Sequence, residues 1–193
     1  EAAQPGEVTV ASGACLAVPR ETWRRLGGFP GHFFLYHEDV DLSMRLHLEG
    51  GRVGIEPEAR VDHDYEFGRS PEKMRWLERN RWAFLIRVYP APLLILLLPA
   101  LLATEAALLA IALAQGWGGR KLRAWIEALG WLPRLLRERR QVQRRREVSA
   151  GQFAAWLTPE LDSPNLGRVA GWAPVRWGLR AYWRGVTTLL GGR

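Results

Sequence analysis

Apolar residues recur in two rhythms along the 193-residue chain, and the change of rhythm divides it. In the first ninety or so residues, short extended and helical patterns alternate. Val8, Val10 and the run from Ala14 to Val18 read as strand or buried extended chain. Ser12-Gly13 interrupts them, where a glycine permits close backbone approach or a bulge. Residues 19–26 read as a short helix with Pro19 at its start and Gly27-Gly28 at its end. An aromatic run, Phe33-Phe34-Leu35-Tyr36, then leads into a helix over residues 39–49 that Gly50-Gly51 closes. Within that helix Asp41, Arg45 and Glu49 fall at i, i+4 spacing and predict a solvated ridge. Residues 52–56 and 59–61 return to strand alternation. Sheet, helix and sheet in quick succession predict an α/β fold.

After residue 70 the rhythm is helical. Residues 71–89 interleave Met74, Leu77, Trp82, Leu85 and Ile86 with arginines. Residues 91–114 are apolar apart from Pro99, Thr104 and Glu105, long enough to cross ~30 Å of hydrocarbon. Three features argue against a simple span. Pro99 kinks or breaks the helix, and a carboxylate at mid-depth costs about 2.5 kcal/mol or more. Both flanks are Arg-rich, which gives no orientation. The pattern predicts a re-entrant or interfacial helix pair with both ends on the cytoplasmic side. Residues 120–146 form a basic amphipathic helix bent or split at Pro133. A short helix capped by Ser149, a linker at 162–165 and an amphipathic helix over 174–190 complete the chain. The expected division is an α/β part, residues 1–90, and a helical membrane-associated part, residues 91–193.

Charge sharpens the second part. Net charge is +7, and the arginines crowd after Arg69, a balance that suits anionic lipid or nucleic acid. Nine of the ten tryptophans follow Arg75, and Trp and Leu opposite Arg mark a helix lying among lipid headgroups. No nucleic-acid motif accompanies Arg144-Arg145-Arg146, so an anionic membrane surface is the expected partner and nucleic acid is not. Cys15 is the sole cysteine, so no disulfide can form within the chain.

Candidate chemistry lies in the first part. Glu38, Asp39 and Asp41 open the helix after the aromatic run. Carboxylates are favoured at a helix start in any case, and one would satisfy that need. Three in four positions suggest a carboxylate held for proton transfer. On spacing alone the two readings stand level. His37 abuts the cluster as a candidate substrate contact, although a loop histidine accounts for it equally. Asp62-His63-Asp64 is a candidate divalent-metal site or a surface loop.

Four blocks in order resemble the second half of a family 2 glycosyltransferase catalytic domain. They are residues 11–18, Gly27-Gly28-Phe29, the run Phe33 to Leu42, and Pro57 to His63. The similarity is greatest to bacterial rhamnosyltransferase-like members, and it covers residues 1 to about 90. It implies a partial GT-A, Rossmann-like sheet ahead of the helical region. It also implies an inverting enzyme that moves a sugar from a nucleotide-sugar donor to a glycan or lipid-linked acceptor at the cytoplasmic membrane. Asp39 would be the general base and Glu38 its neighbour in the acceptor site. Gly13, His37, Asp41, Arg79 and Arg81 would contact substrate. Arg79 and Arg81 belong to Glu78-Arg79-Asn80-Arg81, which resembles an element that follows the family's catalytic domain; a solvated basic face is the competing reading. His63 would touch a divalent metal, Mg or Mn, bound mainly by a donor-binding half that this chain does not include, which leaves the chain alone inactive. The rival reading is a non-catalytic membrane-surface scaffold whose basic helices do the work.

Overall fold

The protein is described by a computed structural model covering residues 6–63, 72–160 and 172–191. It is mostly helical. Helix α1 (Arg20–Leu26) follows Pro19 and ends on Gly27 in the left-handed region, as the Pro and Gly positions predict. Helix α2 (Glu38–Leu48) is followed by α3 (Lys73–Val88) and α4 (Ala91–Ala114). Helices α5 (Gly118–Gly130) and α6 (Leu132–Arg144) divide the expected basic helix at Trp131, with Pro133 in the first turn of α6, where a missing N–H costs nothing. A five-residue helix, α7 (Ala150–Ala154), begins with a capping box between Ser149 and Gln152. Helix α8 (Ala173–Leu189) is the last described element. The expected linker at 162–165 lies outside the described residues.

The sheet is smaller than the α/β reading anticipates. Strands β1 (Gly6–Glu7) and β2 (Gly54–Ile55) pair antiparallel, Gly6 opposite Ile55, and Val8 N–H extends the ladder to Val53 O at 2.9 Å. Residues 10–18 and 59–61 form no strand. Side chains, not a ladder, satisfy much of the first segment. Thr9 Oγ1 donates to Trp156 O, Ala11 N–H to Ser43 Oγ and Gly13 N–H to Asp39. His47 clasps the same region. Its ring nitrogens lie 3.1 Å from Gly51 O and 3.0 Å from Thr9 O, and the ring stacks on Trp156 at 3.9 Å.

Helix α3 is the centre of the packing, with α2, α5 and α6 against it. The core joins Phe33, Met44, Leu48, Phe84 and Val88 to Leu93, Leu135, Phe153 and Val186. The boundary expected at residue 90 falls between α3 and α4, and side chains from both sides of it share this core.

Two buried ion networks run through the interior. The solvated ridge expected on α2 is not there. Asp41 is fully buried between Arg45 and Arg87, each at 2.5 Å, and Arg87 also meets Glu138 of α6 at 2.7 Å. Arg45 further donates to Leu26 O and Gly28 O, which docks the end of α1 on α2. Glu49 is turned in as well: its side chain is only 7% exposed and pairs with the half-exposed Arg25. The i, i+4 spacing is right, but the ridge faces inward because carbonyls and α3 supply the partners that water would otherwise provide.

The second network explains how α4 carries an acid. Glu105 is buried and accepts from Arg81 of α3, Lys121 of α5 (2.6 Å) and the Trp125 indole (2.6 Å). Glu78 completes the ring with Lys121 at 2.5 Å and Arg81 at 3.0 Å. Helix α4 is thus tied at Glu105 to α3 and α5. Removing one member of a buried charge network typically costs about 3–5 kcal/mol. Glu105→Ala is expected to lower stability by about that amount, read as urea unfolding in mild detergent. A loss below about 1 kcal/mol would show that Glu105 is solvated in solution, not buried.

Candidate active site

The first turn of α2 presents Glu38 and Asp39, and an unusual loop delivers the chain to that turn. Phe34, Tyr36 and His37 all have positive φ, at 64°, 72° and 67°. None is glycine, and each such residue costs about 1–3 kcal/mol unless its surroundings impose the conformation. Here they do. Phe33 is fully buried in the core. The Asn80 side-chain amide of α3 donates to Phe33 O (3.0 Å), Leu35 O (2.8 Å) and Tyr36 O (2.9 Å). Arg79 adds a bond to Phe33 O at 3.2 Å. The carbonyls of Phe33, Leu35 and Tyr36 are therefore turned toward one amide, whose two N–H bonds are shared among them. Phe34, largely exposed, rests edge-on against Trp76.

The loop ends at the N-cap, His37. Asp39, half-buried, is held by two backbone donors. Gly13 N–H reaches Oδ2 at 2.9 Å and Val40 N–H reaches Oδ1 at 2.8 Å. A Cβ at position 13 would stand 3.3 Å from Oδ2, so a side chain there would push on the carboxylate. Glu38 is the partner with the raised pKa. Burial raises it first and the Asp39 charge adds to this, against a backbone hydrogen bond that lowers it. Its Oε2 is buried with no hydrogen-bond partner among the described residues. Burial and then the Arg81 charge press His37 down to about 4, so its imidazole is neutral near pH 7. The two adjacent carboxyls thus sit in unlike settings, Asp39 held by two backbone donors and Glu38 partly buried with one oxygen unpartnered among the described residues.

Comparison with known proteins bears directly on this geometry. The model of the glycosyl transferase family group 2 matches residues 2–136, well over half of the chain. The chain belongs to that family. Two curated relatives, from Mycobacterium tuberculosis strains CDC 1551 / Oshkosh and ATCC 25618 / H37Rv, carry the name N-acetylglucosaminyl-diphospho-decaprenol L-rhamnosyltransferase. Each is 40% identical over 75 residues, which is 37% of this chain and 24% of the relative. The chain thus aligns with about a quarter of their length. No solved structure matches.

In this glycosyltransferase-family chain the structure brings Gly13, His37, Glu38 and Asp39 together. Asp41 lies on the inner face of α2, in the ion network described above. Arg79 and Arg81 lie below the loop. Arg79 binds Glu127, Asn80 and Phe33 O, and Arg81 binds Glu78 and Glu105. Both guanidiniums are engaged by carboxylates and a carbonyl inside the protein and do not form a solvated basic face. His63 is exposed beyond β2, and Asp64 lies outside the described residues. Among the described residues no group of three His, Cys, Asp or Glu side chains is placed to hold a metal.

Asn80 is the residue that sequence reasoning passed over. The arginines on either side draw the eye, yet Asn80 stands one turn before Ala83 and Phe84 on the buried stripe of α3. A polar residue on an apolar stripe signals a buried hydrogen-bonding job. Removing the amide takes a donor from Leu35 O and Tyr36 O, at about 1–3 kcal/mol for each carbonyl left short of a partner, while Phe33 O keeps Arg79 and the Leu35 N–H. Asn80→Ala is therefore expected to cost roughly 2–4 kcal/mol in chemical denaturation. A cost within about 0.5 kcal/mol of zero, the range of ordinary surface substitutions, would show that the loop holds itself.

Proposed function

We propose that this chain forms the acceptor side of an inverting, nucleotide-sugar-dependent glycosyltransferase of GT-A type, working on a glycan or lipid-linked acceptor at the cytoplasmic face of the membrane. The observation that carries this is Asp39, held by two backbone donors at a helix start beside a carboxyl whose pKa is raised. The relatives' name, which specifies a diphospho-decaprenol acceptor and L-rhamnose transfer, supports the reading.

In this mechanism an acceptor hydroxyl approaches the free edge of Asp39. The proton passes to the carboxylate as the hydroxyl oxygen attacks the anomeric carbon from the face opposite the leaving group. The sugar–phosphate C–O bond breaks and the nucleoside diphosphate departs with its electron pair. The configuration inverts. Glu38 and the neutral His37 hydrogen-bond to acceptor hydroxyls, and Gly13 keeps the entry to Asp39 clear. Arg79, Arg81 and Asp41 serve from below as positioning residues. A divalent cation, Mg or Mn, would neutralise the leaving diphosphate. The described residues offer no set of ligands for it, so in this reading it is held mainly by other parts of the protein, with His63 at its margin.

The membrane part of the proposal rests on exposed apolar surface. Helix α4 is long and apolar enough to cross a membrane, yet its buried Glu105 is ion-paired to Arg81 of α3 and Lys121 of α5. Ile95, Leu98 and Leu102 on α4, Ile126 and Leu129 on α5 and Trp177 on α8 stand exposed. Such a surface, edged with arginine, suits a helix lying in the interface with one face in lipid.

Two measurements test the proposal. Asp39→Asn in the full-length enzyme is expected to reduce turnover about 10²–10⁴-fold with donor binding retained; more than half of wild-type activity would exclude Asp39 as the base. Ile126→Glu with Leu129→Glu is expected to weaken flotation with anionic vesicles about tenfold or more, because each buried apolar side chain contributes about 1.5–3 kcal/mol. Unchanged flotation would remove α5 from the membrane-facing surface.

A further inference from the structure

A second concave site lies on the other side of α2 from Asp39. It is a cleft of 610 Å³ between the α1–α2 connection and α6, a size within the range of small-ligand sites, roughly 300–1,000 Å³. Seven arginines line it against two glutamates. Counting Asp41 behind the wall leaves the excess of positive charge in place. Arg25, Arg45, Arg87 and Arg134 are each paired with a carboxylate. Arg24 and Arg144 are exposed at the mouth and have no ion pair among the described residues.

The wall contains a second unspent group. His32 is packed edge-on between Phe33 and Trp131, with its side chain only 6% exposed. Neither ring nitrogen has a hydrogen-bond partner among the described residues. Glu138, the nearest carboxylate, is 3.8 Å away and is shared by Arg87 and Arg134. A buried imidazole left in this state is unusual, because polar atoms in an interior normally find partners. Two helices thus bring unpaired guanidinium forks to one opening, beside a polar ring with donor and acceptor capacity to spare.

We infer that this cleft binds a phosphate or diphosphate group, gripped at its mouth by Arg24 and Arg144. Planar guanidinium forks match phosphate oxygens in pairs, and the concave, like-charged lining concentrates the field on an anion. The site is separate from the reacting carboxylate. Asp41, Arg45 and Glu49 face the cleft side of α2, whereas Asp39 turns toward Gly13. The inference therefore stands apart from the role of Asp39. The phosphate can be free or can be the headgroup of a lipid, and the test separates these.

Inorganic pyrophosphate is titrated calorimetrically into the full-length protein at low ionic strength. In parallel the protein is floated with phosphatidylcholine vesicles with and without phosphatidic acid. The cleft variant carries Arg24→Ala and Arg144→Ala. The control variant carries Arg52→Ala and Arg60→Ala, which removes the same charge from exposed positions elsewhere. Hydrogen bonds to charged groups contribute about 1.5–3 kcal/mol each, so the cleft variant is expected to lose about tenfold or more in affinity and the control less than about twofold. A selective loss for pyrophosphate assigns the cleft to a free or diphosphate group. A selective loss confined to phosphatidic-acid vesicles assigns it to a lipid headgroup. Arg144→Gln alone, at an exposed position, is expected to shift affinity in the same direction with an unchanged melting curve. If wild-type protein binds neither probe, or the cleft and control variants bind both probes alike, the inference is overturned.

Discussion

Asn80 holds the candidate active site in place by bonding to three carbonyls at once. The chain between Phe33 and His37 contains three non-glycine residues in the left-handed region, a costly conformation that the single local bond inside the loop, Leu35 N–H to Phe33 O, does not by itself impose. The conformation persists because its carbonyls point into α3, where a buried amide must use them. Phe33 anchors one end in the core and α2 begins at the other. The direction in which Glu38 and Asp39 leave the protein is thus set by a helix that begins 34 residues after Asp39. Loss of that single amide would weaken the hold on the loop while leaving Glu38 and Asp39 themselves unaltered.

The same helix links this loop to the apolar surface. Arg79 bonds the loop and, through Glu127, reaches α5; Arg81 reaches Glu105 on α4. Buried ions of this kind add little net stability against an apolar core, but an unpaired member is costly, so they fix one arrangement of helices over others. The arrangement fixed here sets the acid loop and the exposed faces of α4 and α5 on one framework. In the proposed function such a link would hold Asp39 at a fixed height relative to the exposed apolar faces of α4 and α5.

Much of this was legible in the sequence where the cause is local. Pro19, Gly27, Pro133 and Ser149 mark helix ends because caps are decided by one or two residues. The 24-residue, largely apolar stretch of α4 and the cluster Glu38-Asp39 were equally plain. Long-range partners were not. Asp41, Arg45 and Glu49 have the spacing of a solvated ridge, and only the approach of Arg87 and the carbonyls of Leu26 and Gly28 turns that ridge inward. Residues 10–18 have strand character, but their bonds go to Ser43 and Asp39 side chains, and no pattern within those residues shows this. Glu105 seemed a liability in an apolar helix because its partners lie on helices before and after it.

The dependence of the acid loop on α3 can be measured by amide hydrogen exchange over residues 33–40, comparing wild type with Asn80→Ala. Local opening free energies set such rates, and loss of about 1.5 kcal/mol or more of local stabilisation corresponds to about tenfold faster exchange. The expected result is an acceleration of that size in residues 33–40, with residues 42–48 of α2 changed far less. Equal rates for residues 33–40 in the two proteins would contradict the account, because the loop would then keep its conformation without the helix beneath it.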